Sequence, residues 1–126
     1  MKNGQMSAEF VTLLGMGIII VFTLTVVLSN YFESETREKE YVAVSDFGYS
    51  LQSELILASE VEPGYVRTIQ LPDELRLVDY TISNTESYMI LSYDHGQVSY
   101  KLPNITGALH KGTVSIKNIN GIIYVT

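Results

Sequence analysis

The chain has 126 residues, 46% of them hydrophobic, with eight basic and fourteen acidic side chains and no cysteine or tryptophan. Its length excludes two full catalytic domains, and a formal charge of −6 argues against a nucleic-acid partner, which calls for an excess of Lys and Arg. The absence of cysteine removes disulfides, thiol catalysis, iron–sulfur clusters and the usual zinc sites, and leaves the compartment open.

The charge is unevenly distributed. Only Lys2 and Glu9 carry charge within residues 1–32, and the run from Phe10 to Phe32 has none. A helix over that run spans roughly 35 Å, enough to cross a bilayer core of about 30 Å. A cleaved secretory signal fits poorly, because its apolar stretch is shorter and ends at a small-x-small site. Here the run ends in Ser29-Asn30-Tyr31-Phe32. Two readings remain: a plain signal anchor, and one that rests on the residues before the apolar run.

Glu9 abuts the apolar run. An acid near a membrane segment is either a functional group or an interfacial residue that favours the positive end of the helix dipole. Ser7 is a candidate cap for the same helix. The string Lys2-Asn3-Gly4, then Gln5-Met6-Ser7-Ala8-Glu9-Phe10, then a long apolar helix, resembles the class III signal peptide of archaeal type IV pilins. That family's pattern is a short basic leader ending in Gly, then Gln-x-Ser-x-Glu-aromatic. Gly4, Gln5, Ser7, Glu9 and Phe10 supply every fixed element.

The resemblance implies a series of expectations. A prepilin peptidase cuts between Gly4 and Gln5, ahead of the apolar helix, and so leaves that helix on the chain. Loss of Lys2 moves the formal charge from −6 to −7. Glu9, fifth in the mature chain, matches the new amine at Gln5, usually that of an adjacent subunit. Cyclisation of Gln5 would remove that cation. The apolar helix lies in lipid before assembly and packs against its copies afterwards. The partners are then further copies in a helical filament, the peptidase, an assembly ATPase and a membrane platform protein. The expected location is a cell-surface or extracellular filament that serves adhesion. A minor pilin-like subunit and a membrane-anchored β domain that binds a partner without polymerising are the alternatives. No feature selects an archaellum subunit. Gly15 and Gly17, with Thr12, Thr23, Thr25 and Ser29, offer small or hydroxyl faces for helix approach, as membrane helices commonly do.

Beyond Phe32 the pattern becomes amphipathic. Glu33 to Glu40 is a mixed-charge solvated run, with Glu33–Arg37 and Glu35–Lys39 at pairing distance along a helix. Tyr41, Val44, Phe47 (or Gly48), Leu51, Leu55 and Ala58 form one apolar stripe. Pro63-Gly64 predicts a stop near Glu60–Glu62. A helix from about Met6 to Ser59 would be roughly 80 Å long, which suits an anchor or a filament spine.

From Tyr65 the period becomes two, predicting strands over Tyr65–Leu71, Leu75–Ser83, Tyr88–Tyr93, Gln97–Leu102, Thr113–Ile119 and Ile122–Val125. Asp94-His95-Gly96 reads as a hairpin with positive φ at Gly96, and Asn120-Gly121 as the strongest hairpin signal. The fold class is therefore α+β: a long N-terminal helix followed by a small, mainly antiparallel β head, a layout that resembles that of archaeal pilins. The segments are a leader (1–4), an apolar helix (5–32), its amphipathic continuation (33–62) and the head (63–126). A domain of about 60 residues is marginal alone, so the Tyr41–Ala58 face is expected to complete its core.

His95 and His110 lack ligand spacing, and no P-loop, zinc-protease, nucleophile-elbow or calcium-loop motif occurs. Asp73, Glu74 and Asp79 make a weak cation-site candidate. Nothing in the residues points to an enzyme, a cofactor or a metal. Asn104-Ile105-Thr106 is an N-glycosylation sequon, read as a loop after Pro103.

Overall fold

The structure, a computed structural model, describes residues 2–126. One helix, α1 (Lys2–Glu60), is followed by eight strands. They are β1 (Val66–Leu71), β2 (Glu74–Leu75), β3 (Val78–Asn84), β4 (Tyr88–Tyr93), β5 (Gly96–Lys101), β6 (Ile105–Thr106), β7 (Gly112–Ile119) and β8 (Ile122–Val125). This is the α+β layout the periodicities predict. The chain divides into two units, one ending at Arg37 and one over Glu38–Thr126.

In the second unit, strands β1-β7-β8-β6 form one four-stranded sheet and β2-β3-β4-β5 the other. Every pairing is antiparallel except the two-residue β6–β8 pair. Short hairpins join most neighbours, and two-residue turns permit only antiparallel pairing. A single apolar core gathers Val44, Leu51, Leu55 and Ala58 of α1 with Leu71, Val114, Ile116 and Ile123 of one sheet and Tyr80, Met89 and Leu91 of the other. The C-terminal part of α1 thus supplies core that a 60-residue β head lacks.

The buried face of α1 departs from the predicted stripe at its first position. Tyr41 is half exposed, while Ala43 is buried and Phe47 partly so. Residues seven apart on a 3.6-residue helix drift by about 20° per repeat. Over Leu55, Gly48 and Tyr41 the drift carries Tyr41 off the face, and Glu40 takes its place. Its carboxylate meets His95 Nδ1 at 2.5 Å. The turn histidine is therefore engaged by the helix.

Gly48 is buried for a steric reason. A Cβ there would overlap the Tyr100 ring and lie 2.9 Å from Leu91 Cδ1. The ring lies against the helix backbone, and Tyr100 Oη–H donates to the Ser45 carbonyl at 2.8 Å. A helix-interior glycine costs up to about 1 kcal/mol, and here it admits a closer helix–sheet contact. Gly48→Ala is expected to destabilise the head by about 1–3 kcal/mol, despite the better helix propensity of alanine. Thermal unfolding of the two proteins in detergent checks the sign.

The helix ends where Pro63-Gly64 predicts, but a strand closes it. Asn118 of β7 is 1% exposed. Its Nδ2 donates to the carbonyls of Ala58, Ser59 and Val61 at 2.9, 3.1 and 2.8 Å. Its Oδ1 accepts from Gly121 N–H at 2.8 Å. Its backbone brackets the turn: Gly64 N–H donates to Asn118 O, and Asn118 N–H to Tyr65 O, both at 2.9 Å. Carbonyls at a helix C-terminus need partners, and no basic side chain occupies the last turn.

The strand predicted over Leu75–Ser83 is broken. Leu75 pairs with Val78, leaving Arg76 and Leu77 as a two-residue turn with φ of 51° and 71°. The right-handed twist of a hairpin favours such primed turns even without glycine. Leu77, which unbroken alternation would put on the face of Leu75, is 92% exposed. Beyond the turn, alternation holds, with Tyr80 inward and Asp79 and Thr81 outward. The Asn120-Gly121 turn forms as predicted, with φ of 54° and 84°. Gly96 does not take positive φ: it pairs with Tyr93, whose ring lies over it.

Tyr80 is buried, with its ring edge-on to Phe47 at 5.4 Å and its Oη–H donating to Pro72 O at 2.6 Å. Burial, with help from the Asp73 charge, pushes its phenol up to about 12. Lys111 sits 4.7 Å over the ring and bonds Asp79 at 2.6 Å. That hydrogen bond and charge hold the Asp79 carboxyl below its usual range. Asp79 is thus engaged by a cation of the chain itself, which counts against the weak Asp73–Glu74–Asp79 cation site.

Candidate functional site: an apolar helix without a covered face

In the first unit, the helix presents large apolar side chains on every side. Phe10, Leu13, Ile19, Phe22 and Phe32 are each more than 60% exposed, and none of the most apolar window, of mean hydropathy 2.6, is buried. Covering a Val, Leu, Ile or Phe side chain contributes about 1.5–3 kcal/mol. Sixteen such side chains or their like between Phe10 and Phe32 leave a driving force on the order of tens of kcal/mol for lipid or another apolar surface. This helix is long and apolar enough to cross a membrane, which is compatible with a single-pass anchor.

Three threonines of this segment bond back onto its own backbone. Thr12, Thr23 and Thr25 hydroxyls donate to the carbonyls of Ala8, Ile19 and Val21 at 2.8–2.9 Å. A helix in lipid must satisfy its hydrogen bonds internally, and these threonines do so. Their donor hydrogens are therefore committed within the helix, while the residues themselves stay exposed on its surface. Gly15 and Gly17 have no atom within 4 Å of an added Cβ, so no contact in this chain requires glycine there. Beyond the apolar run, Arg37 and Glu33 pair at 2.5 Å as their spacing predicts.

Gly4, Ser7, Glu9 and Phe10 all lie on α1 and are exposed. Met1 and the side chains of Lys2, Asn3 and Gln5 lie outside the described residues. Gln5 and Glu9 stand one helical turn apart along the backbone. Glu9 borders a shallow hollow with Ala8, Thr12, Leu13 and Met16. Ser7 does not cap the helix, because helical backbone already runs from Lys2 and no residue of the Lys2–Met6 stretch interrupts it. For the same reason no acid lies in the first turn, and Glu9 falls short of the strongest dipole position. Gly4, like Gly15, has open space around it.

Asn104 belongs to the head. It is exposed, and its sequon is not wholly loop: Ile105 and Thr106 form β6, parallel to β8. The Asn104 carbonyl accepts from Ile123 N–H at 2.9 Å, while its side chain and that of Thr106 face outward. The reading of residues missed Asn118 and the His95–Glu40 pair. A polar residue at an inward position of β7, after Val114 and Ile116, is the signal for the first. The second has none, since 55 residues separate its partners.

Comparisons with protein-family models, curated proteins and solved structures return no match.

Proposed function

We propose that this chain is a structural subunit of an archaeal type IV pilus-like surface filament, without enzymatic activity. The observation that carries the reading is an uncovered apolar helix, preceded by Gly4-Gln5-x-Ser7-x-Glu9-Phe10 and leading into a small β head. Prepilin peptidase cuts after Gly4 while the apolar segment lies in the membrane. Removal of the first four residues makes Gln5 the new terminus and brings Ser7 and Glu9 into the opening turns. An assembly ATPase and a platform protein drive extraction, and the apolar faces then cover one another. Glu9 pairs with the new amine of a neighbouring copy, which relieves a carboxylate otherwise left in an apolar core. The head faces the medium and serves adhesion, with Asn104 a candidate glycan acceptor.

Gly4 gives a direct test, because no contact in the fold requires glycine there. Gly4→Leu is expected to leave the head folded and to block cleavage. The uncut chain would accumulate in the membrane, with surface filaments reduced more than tenfold by electron microscopy. Undiminished filaments would contradict the reading. If the unsubstituted chain is never cut and forms no filament, the membrane-anchored β domain is the account that stands.

A further inference from the structure

One face of the sheet β1-β7-β8-β6 packs on the core, and the other meets solvent. The strand registers set Val66, Lys117, Tyr124 and Thr106 in one row across the outer face. Ile119 and Ile122 stand opposite each other in the next row. Alternation agrees, because the intervening Ile116 and Ile123 are fully buried. Val66, Ile119 and Tyr124 are 57%, 40% and 37% exposed. The outer face therefore keeps an apolar strip, one aromatic ring among aliphatic side chains, that the head itself leaves open.

Asn104 belongs to the same face. Ile105 pairs with Ile123 and is buried, so Asn104 and Thr106 on either side of it point outward. The Asn104 carbonyl accepts from Ile123 N–H at 2.9 Å, which continues the β6–β8 pairing and sets Asn104 beside Ile122. Paired strands lie about 4.8 Å apart and residues rise about 3.3 Å along each, so Asn104 and Tyr124 stand roughly 8 Å apart on one surface. Asn104-Ile105-Thr106 is also the one Asn-x-Ser/Thr tripeptide in this sequence.

We propose that Asn104 carries an N-linked sugar, and that this sugar lies over Ile122 and Tyr124 instead of extending into solvent. The donor class is a lipid-phosphate-linked oligosaccharide. Asn104 Nδ2 bonds its anomeric carbon, the bond from that carbon to the phosphate oxygen breaks, and Nδ2 gives up one proton as the lipid phosphate leaves. A pyranose presents C–H bonds on one face and hydroxyls around its rim. The C–H face suits the Tyr124 ring and the Ile122 side chain. The rim suits the Thr106 hydroxyl and the Lys117 ammonium, the neighbours of Tyr124 in its row. The covalent tether selects this occupant, since its attachment point stands within the face it would cover. The inference deepens the proposed function and rests on its placement of the head outside the membrane.

The test uses the full chain, extracted in detergent from the membranes of its native cells. Peptide mass is expected to show Asn104 occupied, and a bare Asn104 overturns the inference. Tyrosine labelling by hydroxyl radicals then reports where the sugar lies. Tyr124 should label several-fold more slowly in the occupied chain than in Asn104→Gln, or in the unsubstituted chain from a host that lacks N-glycosylation. Tyr88, 52% exposed on the other sheet, should label equally in all three. Equal labelling of Tyr124 would show a sugar that extends into solvent and overturns the contact. Thermal unfolding gives a second readout. The occupied chain should melt a few degrees higher than Asn104→Gln, and that gain should vanish when both carry Tyr124→Thr. A gain that survives loss of the ring overturns the contact as well. Filaments built from chains with a bare Asn104 would sink this inference and leave the filament reading standing. An occupied Asn104 that shields Tyr124 in chains that never form filaments would do the reverse.

Discussion

Asn118→Leu is expected to unfold the head under conditions where the unsubstituted chain is stable. The leucine would fill a similar space, so the effect isolates the amide. Three carbonyls at the end of α1 and the Gly121 N–H lose their partner together. Each buried group left unpaired costs about 1–3 kcal/mol. Allowing for water reaching the less enclosed carbonyls, a loss of roughly 3–5 kcal/mol is expected, against about 5–15 for a whole domain. At about 4–8 °C per kcal/mol for a domain of this size, the melting temperature should fall by at least about 12 °C. Asn118→Asp separates this account from one of packing alone. It keeps shape and an acceptor for Gly121, but it loses all three donations. It also puts an anion at the negative end of the helix dipole. The aspartate variant should therefore be as damaging as the leucine variant. Near-ultraviolet tyrosine signals in detergent report the head, free of the strong signal from the rest of α1. An aspartate variant as stable as the parent would show that the amide donors contribute little.

Glu9→Gln is expected to separate membrane insertion from assembly. On insertion scales a carboxylate deep in the bilayer costs about 2.5–3.5 kcal/mol, so its neutral counterpart should enter the membrane at least as well. Assembly should respond in the opposite direction. If Glu9 matches the new amine at Gln5 of a neighbour, the substitution strands that cation in an apolar core. Removing one partner of a buried pair costs about 3–5 kcal/mol, or about two to four orders of magnitude in the contact's equilibrium constant. The cleaved variant should therefore accumulate in the membrane fraction at normal or raised levels, with filaments essentially absent. Filaments at the parental level would remove Glu9 from the assembly mechanism.

Much of the fold is legible because it depends on local periodicity. The shift from three- and four-residue steps to alternation at Tyr65 gives the α+β layout. Asn120-Gly121 gives its hairpin outright, because that pair suits positive φ at both positions. The departures arise where local preference yields to tertiary geometry. Arg76-Leu77 has no turn composition, yet the pairing of Leu75 with Val78 forces a turn there. Gly96 looks like the turn residue of its hairpin, but its missing side chain accommodates the Tyr93 ring. Tyr41 fits the apolar stripe by spacing and leaves it by helical drift. The His95–Glu40 and Asn118–α1 contacts join residues 55 to 60 positions apart, beyond the reach of any window.

The N-terminal segment differs in kind. Its chemistry is a string, and the fold adds that Gly4, Ser7, Glu9 and Phe10 are exposed on a helix where no contact constrains Gly4, Gly15 or Gly17. The threonine hydroxyls of the apolar run donate within the helix, while its large apolar side chains are left exposed. That imbalance favours covering the segment with lipid or another apolar surface over leaving it in water.

The most direct measurement is the intact and N-terminal mass of the chain isolated from its native cell surface. The account predicts a chain that begins at Gln5, either as the free amine or in its cyclised form. A cyclised terminus would keep the cleavage while removing the cation assigned to Glu9. A chain that still begins at Met1 would contradict prepilin processing, and with it the filament.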